Sequence, residues 1–291
     1  MLKIRTPASS ANLGPGFDCL GLALDIYNTF TVERSDRNTL INVEERFVSE
    51  DNLFLQAWRK GCEAIGSDAC VRAEFNCDIP VSRGLGSSAA MIIGGLTAAS
   101  VLHDDALSEQ EIFTLAAEME GHPDNVAACL FGGLTASFHS DDSFIARNIP
   151  LHERWKTTVL IPDFEVSTEK ARTILPDSYS RSTAAYNSAA AILTVEALRS
   201  GDTALLKTAA RDHIHELYRK ELIPGYDRLK EITENDAQGV LLISGSGSTC
   251  LLISAYDLSE RALNAVRAIS DHRWTVRKVS PALSGTEVRS G

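Results

Sequence analysis

One stretch of this chain gathers residues that could hold phosphate: Pro80, Val81, Ser82, Arg83, Gly84, Leu85, Gly86, Ser87, Ser88, Ala89 and Ala90 in direct succession. It follows a strand-like segment, Val71 to Ile79. It opens a small, apolar run, Ser87 to Leu102, long enough for a helix and too long for an ordinary strand. The start of a helix leaves backbone N–H groups without partners and carries the positive end of the helix dipole, so anions bind there readily. Gly84 and Gly86 permit backbone geometry closed to other residues and close approach of a ligand. Ser87 and Ser88 add hydroxyls for a phosphate oxygen or Mg²⁺.

Glycine and serine are also ordinary linkers and helix caps, so the pattern alone leaves that reading open. Gly84, Gly86 and Ala89 satisfy the relaxed dinucleotide pattern G-x-G-x-x-A. The element after the helix, however, reads as a second helix and not as a strand ending in a ribose-binding acid. No G-x-x-x-x-G-K-[ST] occurs, nor any H-R-D or D-F-G element, which excludes a Walker loop and a protein kinase. What remains is a phosphate loop without its own lysine.

The chemistry that such a loop serves needs a metal carboxylate, phosphate donors and a clamp for the acceptor. Glu118 and Glu120, near the end of a predicted helix, are the acids in reach, and both also read as solvated helix residues. His122, beside a helix break, reads as structural. Composition narrows the partners. The 291 residues carry a formal charge of −11, which offers no basic footprint for nucleic acid or an anionic membrane surface. A phosphate-rich ligand must therefore be held by local devices against an unfavourable overall field. The six cysteines include no C-x-x-C pair, no apolar run approaches the roughly eighteen residues of a membrane span, and the first residues lack a leader's apolar core. A cytoplasmic protein is expected.

The elements that would position these residues alternate without a regular βαβ rhythm, which argues α+β. Strands are expected at Leu2 to Arg5, Ile26 to Glu33 with Leu40 to Val43 as its partner, Leu134 to Phe138, Lys156 to Ile161, Val240 to Ser244, Cys250 to Ser254 and Trp274 to Val279. Helices are expected at Asp51 to Ile65, Ser87 to Leu102 and Ile112 to Met119, the last behind a Ser108–Glu111 capping box, with a short one at Asp124 to Leu130. Further helices fit Thr168 to Leu175, Thr183 to Arg199, Thr203 to Arg211, Pro224 to Glu234 and Leu258 to Ile269. The length suits two domains, with a boundary near residues 148 to 165.

The phosphate loop resembles motif 2 of the GHMP kinases, a proline followed within a few residues by G-L-G-S-S-A. Two more segments match in order. Pro7-Ala-Ser-Ser-Ala-Asn12-Leu-Gly14-Pro-Gly16-Phe-Asp18 is similar to motif 1 in its homoserine-kinase form, and Leu242-Ile-Ser-Gly245-Ser-Gly247-Ser-Thr249 resembles motif 3, with serine where the usual G-x-G-P-T has proline. Between them, Glu120-Gly-His122-Pro-Asp124-Asn125-Val126 looks like the homoserine-kinase segment that supplies a metal-binding glutamate and then an asparagine. Mevalonate and galactokinase relatives carry an aspartate, usually assigned as catalytic base, at the place that aligns with Asn125. An amide cannot take that proton.

The resemblance implies an α+β, two-domain GHMP kinase fold, with a ribosomal protein S5 domain 2-like N-terminal domain over 1–155 and a ferredoxin-like C-terminal domain over 156–291. It implies ATP as co-substrate, bound along Pro80 to Ala90, and Mg²⁺ held by Ser88 and Glu120. The acceptor it implies is L-homoserine, phosphorylated on the route to threonine without a dedicated carboxylate base. Asn12 and Asn125 are the implied catalytic residues. Asp18 is implied at the ammonium and Asn12 as helping to orient the substrate, with Thr168, Arg172 and Arg219 in segments similar to the substrate-binding ones, an arginine fork being the expected device for the carboxylate. A homodimer is compatible with the resemblance. Another small alcohol as acceptor, or a binding protein on the same fold without turnover, are the alternatives.

Overall fold

In the computed structural model, which describes residues 1–141, 143–269 and 272–290, two antiparallel strands begin the chain. These are β1 (Leu2–Ala11) and β2 (Leu20–Ser35), in register from Leu2↔Val32 to Ala11↔Gly21 with a shift between Pro7 and Ala8. Both run well beyond the short segments legible in the sequence. Leu20 to Leu24 is buried at every position, and burial on both faces erases the period-two signal. The short β3 (Thr39–Ile41) does not pair with β2 as expected. It runs parallel to β4 (Cys70–Cys77), which itself takes the edge of β2 with Phe30 opposite Phe75. The aromatic rings of Phe30, Phe54 and Phe75 lie within about 5 Å of one another, a packing Leu40 and Val43 could not supply.

Two helices of this half, α1 and α3, sit where capping predicts. For α1 (Leu53–Ile65), Asn52 Oδ1 accepts the N–H groups of Phe54 and Leu55; α2 (Ser87–Val101) follows β4 and is buried along most of its length. The Ser108–Glu111 capping box is present at α3 (Glu109–Glu120), and α4 (Asp124–Phe131) follows after one tight turn. A hairpin of β5 (Leu134–Ser140) and β6 (Ser143–Ile149) joins the sheet through β5 and β2.

A second sheet starts at β7 (Lys156–Pro162). Five helices intervene: α5 (Thr168–Thr173), α6 (Arg181–Ser200), α7 (Thr203–Ala209), α8 (Glu216–Arg219) and α9 (Tyr226–Ala237). Then come β8 (Gly239–Ile243), β9 (Cys250–Ser254), α10 (Glu260–Arg267) and β10 (Trp274–Val279), in the spatial order β10-β7-β9-β8, all antiparallel. Read along the chain this is β-α-β-β-α-β in the order 4-1-3-2, the ferredoxin-like arrangement.

The C-terminal end departs from the expected unit at 156–291. Pro281 bridges to Leu24, and a last strand, β11 (Glu287–Ser290), pairs antiparallel with β1, so the chain returns to the first sheet. Its pattern, one apolar residue among charges, is that of an edge strand and gives no sequence signal. The largest apolar cluster also crosses between the sheets, joining Leu13, Leu85 and Ile92 to Leu206, Ala210 and Leu242. No helix among the described residues is long and apolar enough to cross a membrane, and all six cysteines are free.

Candidate active site

Between the two sheets lies a cleft of about 740 Å³. The turn from β4 into α2 forms one wall. Gly86 stands immediately before α2 at φ +66°, and no side chain caps the helix, whereas α1, α3, α5, α6 and α7 each have a side-chain oxygen on an early N–H. The N–H groups of a fifteen-residue helix are thus left for another acceptor. The two glycines do something the sequence did not disclose. A Cβ on Gly84 would lie 2.2 Å from the carbonyl oxygen of Ser244, and one on Gly86 would lie 2.0 Å from Ser9 Oγ. They admit the two other glycine- and serine-rich segments against this loop, not only a ligand. Of the expected phosphate loop, Val81, Ser82, Arg83, Gly84, Gly86, Ser87 and Ser88 line the cleft. Pro80, Leu85, Ala89 and Ala90 do not; Leu85, Ala89 and Ala90 are wholly buried in the main core, where they hold the turn down.

Across from Ser88, the end of α3 brings Glu120 into reach, and Ser88 Oγ donates to Glu120 Oε2 at 2.6 Å. Burial pushes the Glu120 carboxyl above its usual range, against the Ser88 hydrogen bond and the nearby His122, which favour the charged form. A carboxylate in this state fits a hard divalent cation, and hydroxyl plus carboxylate are oxygen donors of the kind Mg²⁺ takes. Among the described residues no group of three or more His, Cys, Asp or Glu clusters to hold a metal. The pair would supply two ligands and leave the rest to phosphate and water, the usual way Mg²⁺ is bound at phosphate sites.

The turn after α3 and the start of α4 supply three more lining residues. His122 Nδ1 lies 2.7 Å from Asp124 Oδ1, which also accepts the N–H of Asn125 at 2.8 Å. Burial works against a charged His122, but the hydrogen bond and charge of Asp124 outweigh it and hold the imidazole above its ordinary range. Asn125 is buried, and its Oδ1 accepts from Ser9 Oγ at 2.8 Å. With the oxygen so engaged, its NH₂ is the end left for the cleft.

The opposite wall collects charge from three distant segments. Asn12 and Asp18 both stand at positive φ, 72° and 56°. Asn12 is buried and used at both ends: Oδ1 accepts the N–H of Asp18 at 3.0 Å, and Nδ2 donates to the carbonyl of Gly245 at 2.9 Å. It shapes the turn that presents Asp18. Arg172, from α5, forks onto Asp18 with contacts of 2.8 and 3.0 Å, so the expected ammonium and carboxylate partners face each other. Arg219 closes α8 and is 2% exposed. It donates from Nε to the carbonyl of Ala171 and from Nη1 to that of Gly245, and among the described residues no carboxylate pairs with it. Burial, then the charge of Arg172, pushes it down to about 10. Thr168 is exposed at the start of α5, with Oγ1 3.4 Å from Ser246 Oγ.

The supporting roles of several motif 1 residues were not legible in the sequence. Ser9 and Ser10 fall within that motif with no role assigned, yet one holds Asn125 and the other meets Ser244, whose hydroxyl donates to Gly84 O at 2.6 Å. Phe17 lies beneath both arginines, 5.7 Å from the Arg172 guanidinium and 5.2 Å from that of Arg219. The cleft is also lined by Val43, Phe47, Phe75 and Met91, alongside the polar Asn42, Glu44, Arg46 and Asn52. Only tertiary pairing brings these together.

The chain is similar to known proteins over its whole length. GHMP kinases N terminal domain matches residues 52–133, and GHMP kinases C terminal matches 194–272. A homoserine kinase of Clostridium botulinum (strain Langeland) is 39% identical over 296 positions, covering 100% of this chain and 99% of that protein. A homoserine kinase of Microchaete diplosiphon is 39% identical, covering 94% and 90%. The crystal structure of homoserine kinase from Cytophaga hutchinsonii superposes with a TM-score of 0.87 at 29% identity, covering 99% of this chain and 97% of that one. A mevalonate kinase structure shares the fold, with a TM-score of 0.69 at 16% identity.

Proposed function

From the premise that this chain belongs to the GHMP kinase family, and within it to the homoserine kinases, we propose that ATP and L-homoserine meet end to end in the cleft and react without a carboxylate base. The observation that carries this reading is that one cavity is lined both by the uncapped start of α2 with the Ser88–Glu120 pair and by Asp18, Arg172 and Arg219. The first set answers to a polyphosphate, the second to a zwitterion.

In this reading the phosphates lie on the N–H groups of Gly86 to Ser88, and the base of the nucleotide packs on the apolar side chains of the lining, Val43, Phe47, Phe75 and Met91. Ser88 and Glu120 would hold Mg²⁺, which would supply positive charge against the phosphates. Asp18 receives the ammonium of homoserine. Arg219, a buried cation with which no carboxylate among the described residues pairs, receives the carboxylate, and Arg172 exchanges Asp18 for the substrate in part.

The NH₂ of Asn125, steadied by Ser9, orients the hydroxyl of homoserine. That oxygen forms the new bond to the γ-phosphorus as the bond to ADP breaks, and its proton leaves to the transferred phosphate or to water. Asp124, next to Asn125 in the chain, has Oδ1 committed to His122 and to the N–H of Asn125, which leaves it in a supporting place. The product is O-phospho-L-homoserine.

A coupled ADP-release assay across homoserine, mevalonate and galactose, with and without Mg²⁺, tests the reading. Homoserine with Mg²⁺ should be the productive pair. Asp18→Ala should raise the homoserine KM by about ten- to a hundredfold, the loss of a charge-assisted hydrogen bond. An unchanged KM would remove Asp18 from the acceptor site.

A further inference from the structure

His215 is entirely buried, is not among the residues that line the cleft, and is bonded to two parts of the acceptor site at once. Its Nε2 lies 3.0 Å from the carbonyl oxygen of Gly14, and its Nδ1 lies 3.4 Å from Arg219 Nη1. A carbonyl only accepts and a guanidinium only donates, so both hydrogen bonds can form with one tautomer alone: the neutral ring with its proton on Nε2. The ring also stacks on Phe17, with centroids 5.4 Å apart, and Phe17 is the surface under both arginines. Its own backbone is fixed by Asp212, whose Oδ2 accepts the N–H groups of Ile214, His215 and Glu216 at 3.1, 2.6 and 2.7 Å.

From this arrangement we infer that His215 is a positioning residue for the acceptor, holding Arg219 and the Gly14–Phe17 turn in one fixed relation so that carboxylate and ammonium are gripped together. The inference rests on the reading that Arg219 takes the carboxylate of homoserine. The charged groups that face the ring are Asp212, Glu216 and Arg219. Burial, with Arg219 beside it, keeps the imidazole below its ordinary range although the two acids oppose this, in keeping with the neutral tautomer. Asn187 works on the same turn from α6, donating to the Pro15 carbonyl at 2.8 Å and accepting from the His213 N–H at 3.0 Å. No hydrogen bond joins it to Arg219; the turn meets that cation through His215, through the Phe17 ring and through the Gly245 carbonyl that Asn12 and Arg219 share, and of these His215 bonds directly to both turn and guanidinium.

The test compares His215→Leu, which fills the space but makes neither bond, with His215→Gln, whose amide can donate at one end and accept at the other. Both are made in the full-length chain and also combined with Arg219→Lys, with folding checked by circular dichroism and by binding of a non-hydrolysable ATP analogue. His215→Leu should raise the homoserine KM by about ten- to a hundredfold with the ATP KM within about twofold, and His215→Gln should recover most of the loss. In the Arg219→Lys background, His215→Leu should add little further, because the two act as one unit.

If Arg219→Lys alone leaves the homoserine KM unchanged, the carboxylate reading fails. If Arg219→Lys raises it while His215→Leu does not, the positioning role fails and the carboxylate reading stands. Equal rises in both KM values, or additive losses in the double variant, would also overturn the positioning role. Should His215→Leu not fold, His215→Gln still decides: a KM near that of the parent supports the role, and a rise as large as that of Arg219→Lys overturns it.

Discussion

Glu120 carries a charge that its buried position disfavours. Its carboxyl keeps a proton to higher pH in the folded chain than in the unfolded one, so its ionisation takes away stability as pH rises out of the ordinary carboxylate range, near pH ~4. Glu120→Gln keeps the shape and removes the charge. The variant should melt about 2–4 °C above the parent at pH 7 to 8, with the difference vanishing toward pH ~4, while kcat falls by about a hundredfold or more. Melting curves across pH and the ADP-release rate check both halves. His122 shows the opposite sign. The hydrogen bond to Asp124 raises its pKa, so the pair stabilises the fold while the ring is protonated, fully below the ordinary imidazole range, and the contribution is lost as pH rises through the raised value. Asp124→Asn leaves burial as the dominant influence, and an NMR titration of the His122 ring should find its pKa at or below about 6.5.

At the level of elements, the turn before α2 is where geometry and function coincide. Gly86 holds a left-handed φ and lies so close to Ser9 that any side chain would displace the hydroxyl that steadies Asn125. Gly66, after α1, has a similar φ of 79°, but a methyl group there would meet nothing within 4 Å. Gly66→Ala should therefore cost only the backbone term, about 1 kcal/mol, and leave activity intact. Gly86→Ala should cost about 2–4 kcal/mol in urea denaturation, strain and displaced contact together, and should abolish turnover. Equal stability losses in the two variants would mean that the Ser9 contact carries no weight.

Across the molecule, the C-terminal return couples the two halves. Beyond the pairing of β11 with β1, Thr286 donates from its N–H to Leu130 O and from Oγ1 to Cys129 O, satisfying carbonyls at the end of α4, whose other end carries Asn125. Deleting residues 286–291 should lower the melting temperature by roughly 4–8 °C, from about 2 kcal/mol of lost cross-strand pairing. The main core crosses between the sheets, so calorimetry should show a single shifted transition, not a new early one.

The sequence by itself determined what is local along the chain: a glycine- and serine-rich turn opening α2, the capping box of α3, and the succession of strands and helices that builds the second sheet. Such features depend on neighbours within a few residues, where residue type and spacing carry the physics. Only the tertiary structure decided that β3 joins β4 and that the chain's end returns to β1. It also decided that Asp18 and Arg172 face one another, that Gly86 makes room for Ser9, and that His215 ties Arg219 to the turn at Gly14. Each of these is a contact between segments far apart in the chain, set by which surfaces pack best, and neither a buried serine nor a buried histidine advertises its distant partner through its neighbours.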